Sequence, residues 1–145
     1  MNWNYKEKPI KKLRDWYNDK VRKDKNGFLD IHDFLEWYKN NIKDSCCYYC
    51  GLTERECQRI VHLGILQSER FPKYGIFSRG VGRGYWLEID RKDPDNKKYS
   101  KENCVPSCYF CNNDKSDVFT NIEYKLFYQN RREYLVSLIS KDSNS

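Results

Sequence analysis

Two CxxC pairs, Cys47-Tyr48-Tyr49-Cys50 and Cys108-Tyr109-Phe110-Cys111, constrain this chain more than any other feature. Four thiolates from two such pairs form the tetrahedral ligand set of a structural zinc site, and a shared ion would tie together segments far apart in sequence. The second pair closes a dense polar run, LEIDRKDPDNKKYSKENCVPSCYFCNNDKSD, over residues 87–117. That run is too rich in varied polar groups to be a linker, and it reads as a site held in place by the metal. Cys46 offers a second register, Cys46-x3-Cys50, but the Cys-Tyr-Tyr-Cys-Gly pattern favours Cys47. Cys57 and Cys104 have no partner at ligand spacing and read as buried or free thiols.

A chain of 145 residues is expected to form a single domain with a modest core. A basic helical part is expected over residues 1–45, a metal-clamped core over 46–118 and a C-terminal helix over 119–145. With 33% charged residues and a mean hydropathy of -0.98, the chain has no apolar run that could span a bilayer and no signal-peptide pattern at its start. The expectation is a cytoplasmic protein with no membrane partner, whose seven cysteines are thiols or metal ligands rather than disulfides. The net charge is +6, and residues 1–25 carry nine Lys and Arg against four acids. Such a surplus is the footprint of a nucleic-acid partner, or else the solvated face of a helix.

Leu13, Trp16, Tyr17 and Val21 recur at helical spacing and predict a helix over residues 9–23. A second helix is predicted over 31–41, with Asp30 as its cap, a staple between Leu29 and Phe34, and a buried stripe of Phe34, Leu35 and Tyr38. Residues 24–33 look superficially like a calcium loop. Setting Gly27 at the loop's glycine puts Arg22 at the first ligand position, so a turn is the better reading. The stretch 51–85 has weak periodicity and ends in a loop where Gly75, Gly80, Gly82 and Gly84 alternate with Lys73, Arg79 and Arg83. A basic, glycine-rich loop can bring backbone and cations close to phosphates, although a plain surface loop has the same composition. Residues 85–90 read as a strand. Thr120 and Glu123 form a capping box opening a helix to about residue 139, packed through Ile122, Leu126, Leu135, Leu138 and Ile139, with KDSNS fraying beyond it.

The order LEIDR, then Asn103, then CxxC followed by Asn112 and Lys115 resembles the HNH, or ββα-metal, endonucleases. The resemblance covers residues 47–117 with a variable middle. Together with Phe34-Leu35-Glu36-Trp37-Tyr38, it looks most like a subgroup of phage HNH proteins and restriction enzymes. It implies an α+β fold with a small zinc-clamped ββα-metal (HNH/His-Me finger-like) core and flanking N- and C-terminal helices. It also implies that Cys47, Cys50, Cys108 and Cys111 hold a structural Zn²⁺, and that Asp90 and Asn112 bind a catalytic Mg²⁺ or Mn²⁺. Asn103 would hold the loop between them, and Lys115 would join Lys73, Arg79 and Arg83 on DNA.

Arg91 departs from the family pattern, because most members have there the histidine that activates water. An arginine stays protonated in proteins and is better suited to binding the attacked phosphate. The same Asp-Arg pair occurs in the restriction-type subgroup, where cleavage survives. Tyr99 and Tyr85 are then candidates for taking the water's proton, while His32 reads as surface and His62 as a more distant possibility. The resemblance implies a metal-dependent endonuclease acting on double-stranded DNA, restriction-type and homodimeric. A homing or nicking enzyme, or a non-catalytic nucleic-acid-binding module, remains as an alternative.

Overall fold

The computed structural model describes residues 3–22, 27–96, 98–127 and 131–143. Lys23, Lys25, the turn through Asp24 and Asn26, the Leu126 side chain and the last two residues lie outside the described residues. Among the described residues, six α-helices and two strands follow in the order α1 (Ile10–Trp16), α2 (Ile31–Tyr38), α3 (Glu54–His62), β1 (Glu88–Arg91), β2 (Cys104–Ser107), α4 (Tyr109–Lys115), α5 (Asn121–Phe127) and α6 (Arg131–Ser143). The fold is α+β. Its antiparallel sheet pairs Glu88 with Ser107, Asp90 with Val105 and Arg91 with Cys104, and α4 follows β2 directly.

Pro9 precedes α1 in an extended conformation, a position where its missing N–H costs nothing. The helix buries Leu13, Tyr17 and Val21 at four-residue spacing and widens into a π-type turn at Tyr17–Val21. In α2 the Asp33 N–H donates to Asp30 Oδ1 (2.9 Å), as the cap requires. The expected staple does not form, because Leu29 is 93% exposed and its N–H donates to Asp33 Oδ2 (3.0 Å). Phe28 takes that place, edge-on to Phe34 at 5.3 Å. Trp37 completes the buried stripe, with Leu35 only half-buried beside it. A π-type turn at Lys39–Lys43 extends α2 and adds the fully buried Ile42.

α3 opens with a reciprocal box between Thr53 and Glu56 and buries Cys57, Ile60 and Val61. Its buried face also carries Glu54 and Gln58, which is why the hydrophobic pattern there is weak. Gln58 exchanges two hydrogen bonds with the Lys6 backbone (2.9 and 2.7 Å), and Tyr5 donates to Glu54 (2.6 Å), so the N-terminal strap is stitched onto this helix.

The strand expected from residue 85 begins only at Glu88. Tyr85, Trp86 and Leu87 are all buried and do not alternate, and the Leu87 N–H donates to the Glu54 side chain (3.0 Å) rather than to a ladder. Just upstream, Gly84 has φ +86°, and a Cβ there would lie 2.8 Å from the Phe71 ring, so only glycine fits. Beyond α4 the Thr120–Glu123 box forms. Ile122, however, is 68% exposed, while Tyr124 of α5 is buried. On α6, Leu135 and Ile139 are buried and Leu138 packs against them, while the helix continues through Lys141 to Ser143, where fraying was expected. The main core joins α1, α2, α3, the paired cysteines, Leu87 and α6. A second cluster gathers Val61, Phe71, Tyr85, Trp86 and Tyr109.

Candidate functional site

The first CxxC pair sits in a tight hairpin. Cys47 N–H donates to the Leu52 carbonyl (2.7 Å), Gly51 N–H donates to the Cys47 carbonyl (2.9 Å), and Gly51 turns the chain at φ +84°. Tyr48 N–H reaches the Pro106 carbonyl (2.8 Å), which fastens the hairpin to β2. Cys108 caps α4, its sulfur accepting from the Cys111 N–H (3.4 Å). The Sγ atoms of Cys47, Cys50, Cys108 and Cys111 all lie within 4.8 Å of one another, with Cys50 and Cys108 at 3.7 Å. Thiolates about 2.3 Å from a tetrahedral zinc would be roughly 3.8 Å apart, so the cluster fits that ion. Hydrogen bonds from Cys108, Cys111 and Cys50 hold the Cys47 thiol far below its ordinary range, while Cys108 is pushed up. Such a cluster ionises fully only around a cation. Cys46 is exposed and outside it, which settles the register. Cys57 and Cys104 are buried, and burial pushes the Cys104 thiol up to about 12.

Asn103 holds the loop between the strands. Its Nδ2 donates to the carbonyls of Asn96 (2.9 Å), Lys98 (3.2 Å) and Asp93 (3.4 Å), and its Oδ1 accepts from the Asp93 N–H (3.1 Å). The loop therefore closes on one side chain.

β1 and α4 pack side chain to side chain. Glu88 and Asp90, two apart on one face of a strand, meet Asn112 and Lys115, three apart on one face of a helix. Asn112 Nδ2 donates to Glu88 Oε1 (2.9 Å). Lys115, 0% exposed, places Nζ 3.1 Å from Asp90 Oδ2 and donates to the Arg91 carbonyl (2.9 Å). Asp90 is 6% exposed and also accepts from the Tyr49 hydroxyl at Oδ2 (2.5 Å). Burial raises the Asp90 carboxyl above its ordinary value, against the opposing pull of Tyr49, Lys115 and Arg91. Glu88 is also gripped in a fork by Arg83 (2.7 and 3.1 Å).

Lys115, expected on DNA, is thus corrected to a buried ion partner of Asp90. Arg83 spends its charge on Glu88 and stacks over the Tyr109 ring at 4.7 Å. Lys73 and Arg79 are exposed on the glycine-rich loop. Tyr49 and Glu88 were not singled out from sequence. Tyr49 lies inside the first CxxC pair, and Glu88 stands two residues before Asp90, so the two-residue period of a strand would have pointed to it.

Arg91 projects from the other face of β1, its guanidinium 5.0 Å from the centre of the Tyr99 ring. Tyr99 is set edge-on to Trp16 at 5.1 Å. The backbone of Gly27 runs so close that a Cβ there would lie 1.8 Å from the Tyr99 carbonyl oxygen. Tyr85 is buried in the second cluster with its hydroxyl 3.4 Å from His62 Nδ1, and His32 is exposed. An open cleft of about 710 Å³ runs between α1 and the glycine-rich loop, and Tyr99, Glu88 and Asn112 all line it. Among the described residues, no helix is long and apolar enough to cross a membrane.

As donors, two hard oxygens remain at the β1–α4 interface. Among the described residues, Asp90 Oδ1 meets the Lys115 ammonium at 3.5 Å, and the Asn112 amide nitrogen is committed to Glu88, which leaves its Oδ1 as an acceptor. A carboxylate and an amide oxygen suit a hard divalent cation.

No protein-family model and no curated protein matches the chain. Its structure is similar to that of the rare-cutting HNH restriction endonuclease PacI, with 23% identity and a TM-score of 0.54. The match covers 81% of this chain and 70% of that one. The likeness is one of fold.

Proposed function

We propose that the protein is a metal-dependent DNA endonuclease that hydrolyses phosphodiester bonds in double-stranded DNA. In this reading it is restriction-type and sequence-specific, and acts as a homodimer to break both strands. The observation that supports the proposal is the β1–α4 interface, which brings the Asp90 carboxylate and the Asn112 amide onto facing elements within a fold similar to that of a DNA-cutting enzyme, with Asp90 Oδ1 held only by a long contact to Lys115. The four cysteines hold a structural zinc that keeps β2, α4 and the first hairpin in register. A bound Mg²⁺ or Mn²⁺ would supply Lewis-acid polarisation of the scissile phosphate and stabilise the leaving oxygen.

Arg91 binds the attacked phosphate and offsets the charge that develops there. Tyr99, beside Arg91 and lining the cleft, takes the proton of the attacking water as its phenolate, its own phenolic proton having passed to solvent beforehand. Tyr99→Phe should therefore slow cleavage at saturating metal, whereas Tyr85→Phe should not. Lys73 and Arg79 meet the backbone of the duplex.

A second reading is a non-catalytic zinc-stabilised module that only binds nucleic acid. It is favoured by Lys115, which already neutralises Asp90, and by an arginine where a histidine base is usual. A monomeric homing or nicking enzyme would use the same residues and leave nicked rather than linear plasmid. Incubating supercoiled plasmid with Mg²⁺ or Mn²⁺ separates these. Wild-type protein should linearise it, with Asp90→Ala and Asn112→Ala inactive. Cutting that persists in both variants, or no cutting of plasmid and genomic DNA alike, would sink the nuclease reading.

A further inference from the structure

We propose that Tyr49 is a positioning residue that ties the four-cysteine cluster to Asp90 and decides which Asp90 oxygen is offered to a divalent cation. The inference rests on the reading of Asp90 as a metal ligand. Tyr49 lies between two cluster residues, Cys47 and Cys50, in a hairpin whose backbone is fixed by the Cys47–Leu52 and Gly51–Cys47 hydrogen bonds (2.7 and 2.9 Å). The same hairpin is fastened to β2, the partner strand of β1, through Tyr48 N–H and the Pro106 carbonyl (2.8 Å). Its ring is walled edge-on by Tyr48 at 5.2 Å and Tyr124 at 5.1 Å. With backbone and ring held, the hydroxyl meets Asp90 Oδ2 at 2.5 Å.

The consequence is a division of labour within one carboxylate. Oδ2 accepts from Tyr49 and faces the Lys115 ammonium at 3.1 Å, so its acceptor capacity is used. Oδ1, 3.5 Å from that ammonium, is the oxygen left for a cation. The short O–H···O⁻ contact also stops the carboxylate from rotating about its Cβ–Cγ bond. Without the hydroxyl, the carboxylate can rotate and bring Oδ1, now 3.5 Å from the Lys115 ammonium, into closer contact with it, and a metal must then compete with that buried ammonium. Partners of this kind behind a metal ligand typically set affinity by about 10- to 100-fold.

The test compares full-length wild type, Tyr49→Phe, Tyr48→Phe and Asp90→Ala. Zinc content is measured by elemental analysis, and Mn²⁺ affinity by electron paramagnetic resonance of the free ion. Tyr49→Phe keeps the ring and removes only the hydroxyl. It should retain the zinc of the wild type yet bind Mn²⁺ about tenfold or more weakly, while Tyr48→Phe matches wild type and Asp90→Ala loses the ion. A Tyr49→Phe protein that binds Mn²⁺ within about twofold of wild type, while Asp90→Ala does not bind, overturns the positioning role alone. Loss of zinc from Tyr49→Phe also overturns it, because the hydroxyl would then be supporting the cluster. If Asp90→Ala binds Mn²⁺ as well as wild type does, the ligand reading of Asp90 falls and this inference falls with it.

Discussion

Taking Asp90 and Lys115 out of water costs several kcal/mol per ion, and contact between them recovers this only because each has further partners. Asp90 has the Tyr49 hydroxyl, and Lys115 has the Arg91 carbonyl. Lys115→Met removes one charge and strands the other. It should destabilise the protein by about 3–5 kcal/mol in urea unfolding, a cost that a surface lysine would not carry. Glu54 gives a pH signature at the same scale. Burial raises its carboxyl above the ordinary range, against the pull of Tyr5, Leu87, Lys8 and Lys43. The folded state therefore holds the Glu54 proton more tightly than the unfolded state does. Its contribution is present below the ordinary glutamate pKa and is lost as pH rises through the raised value. The melting temperature of wild type minus that of Glu54→Gln should accordingly fall as pH rises from the ordinary glutamate range towards neutrality. A flat difference would mean that Glu54 titrates normally. The lysine at 115 was visible in the sequence, but its burial was not. A single Lys three residues past CxxCN looks the same whether it meets a phosphate or a carboxylate.

At the scale of elements, what was legible followed local rules. The Asp30 cap, the Thr120–Glu123 box and the Leu13/Tyr17/Val21 stripe are short-range patterns, and the structure keeps all three. What was not legible depends on distant partners. The 85–91 segment has the composition of one continuous strand, yet its first half is claimed by the Glu54 carboxylate and an aromatic cluster, leaving only Glu88–Arg91 to pair. α3 escaped notice because its buried face includes Gln58, whose amide serves the Lys6 backbone rather than the helix. Gln58→Ala should strand the Lys6 N–H and leave the Lys6 carbonyl with the Trp86 indole N–H (2.8 Å), at a cost of about 1–3 kcal/mol, detectable as faster proteolysis near residue 6. The cysteine cluster makes a sharper test of the same logic. Cys108→Ser should release zinc and lower the melting temperature because it breaks the ligand set, while the serine hydroxyl can still cap α4. Cys57→Ala should keep the metal, since that thiol is buried outside the cluster.

For the whole molecule, the sequence showed a surplus of cations but not which of them are spent internally. Lys11 pairs with Asp15, Arg83 with Glu88, Lys101 with Asp33 and Lys115 with Asp90, so four charges that a composition count assigns to a partner are already neutralised. Even the cleft that holds Tyr99 and Asn112 sets Lys8, Lys12 and Lys20 against Asp15 and Asp19. The cations left exposed on the glycine-rich loop, Lys73 and Arg79, are the better candidates for phosphate contacts. Counterion release turns this into a measurement, because each phosphate neutralised on a duplex contributes about 0.9 to the slope of log affinity against log salt. Measured by fluorescence anisotropy on duplex DNA, Lys73→Ala and Arg79→Ala should each lower that slope by about 0.9. Arg83→Ala should change it much less, because the guanidinium is already held by Glu88. Lys115→Met, assayed where it remains folded, should leave it unchanged. If instead the Lys115 variant shows the full loss and the loop variants none, the duplex lies along the β1–α4 face, and Lys115 must leave Asp90 when DNA binds.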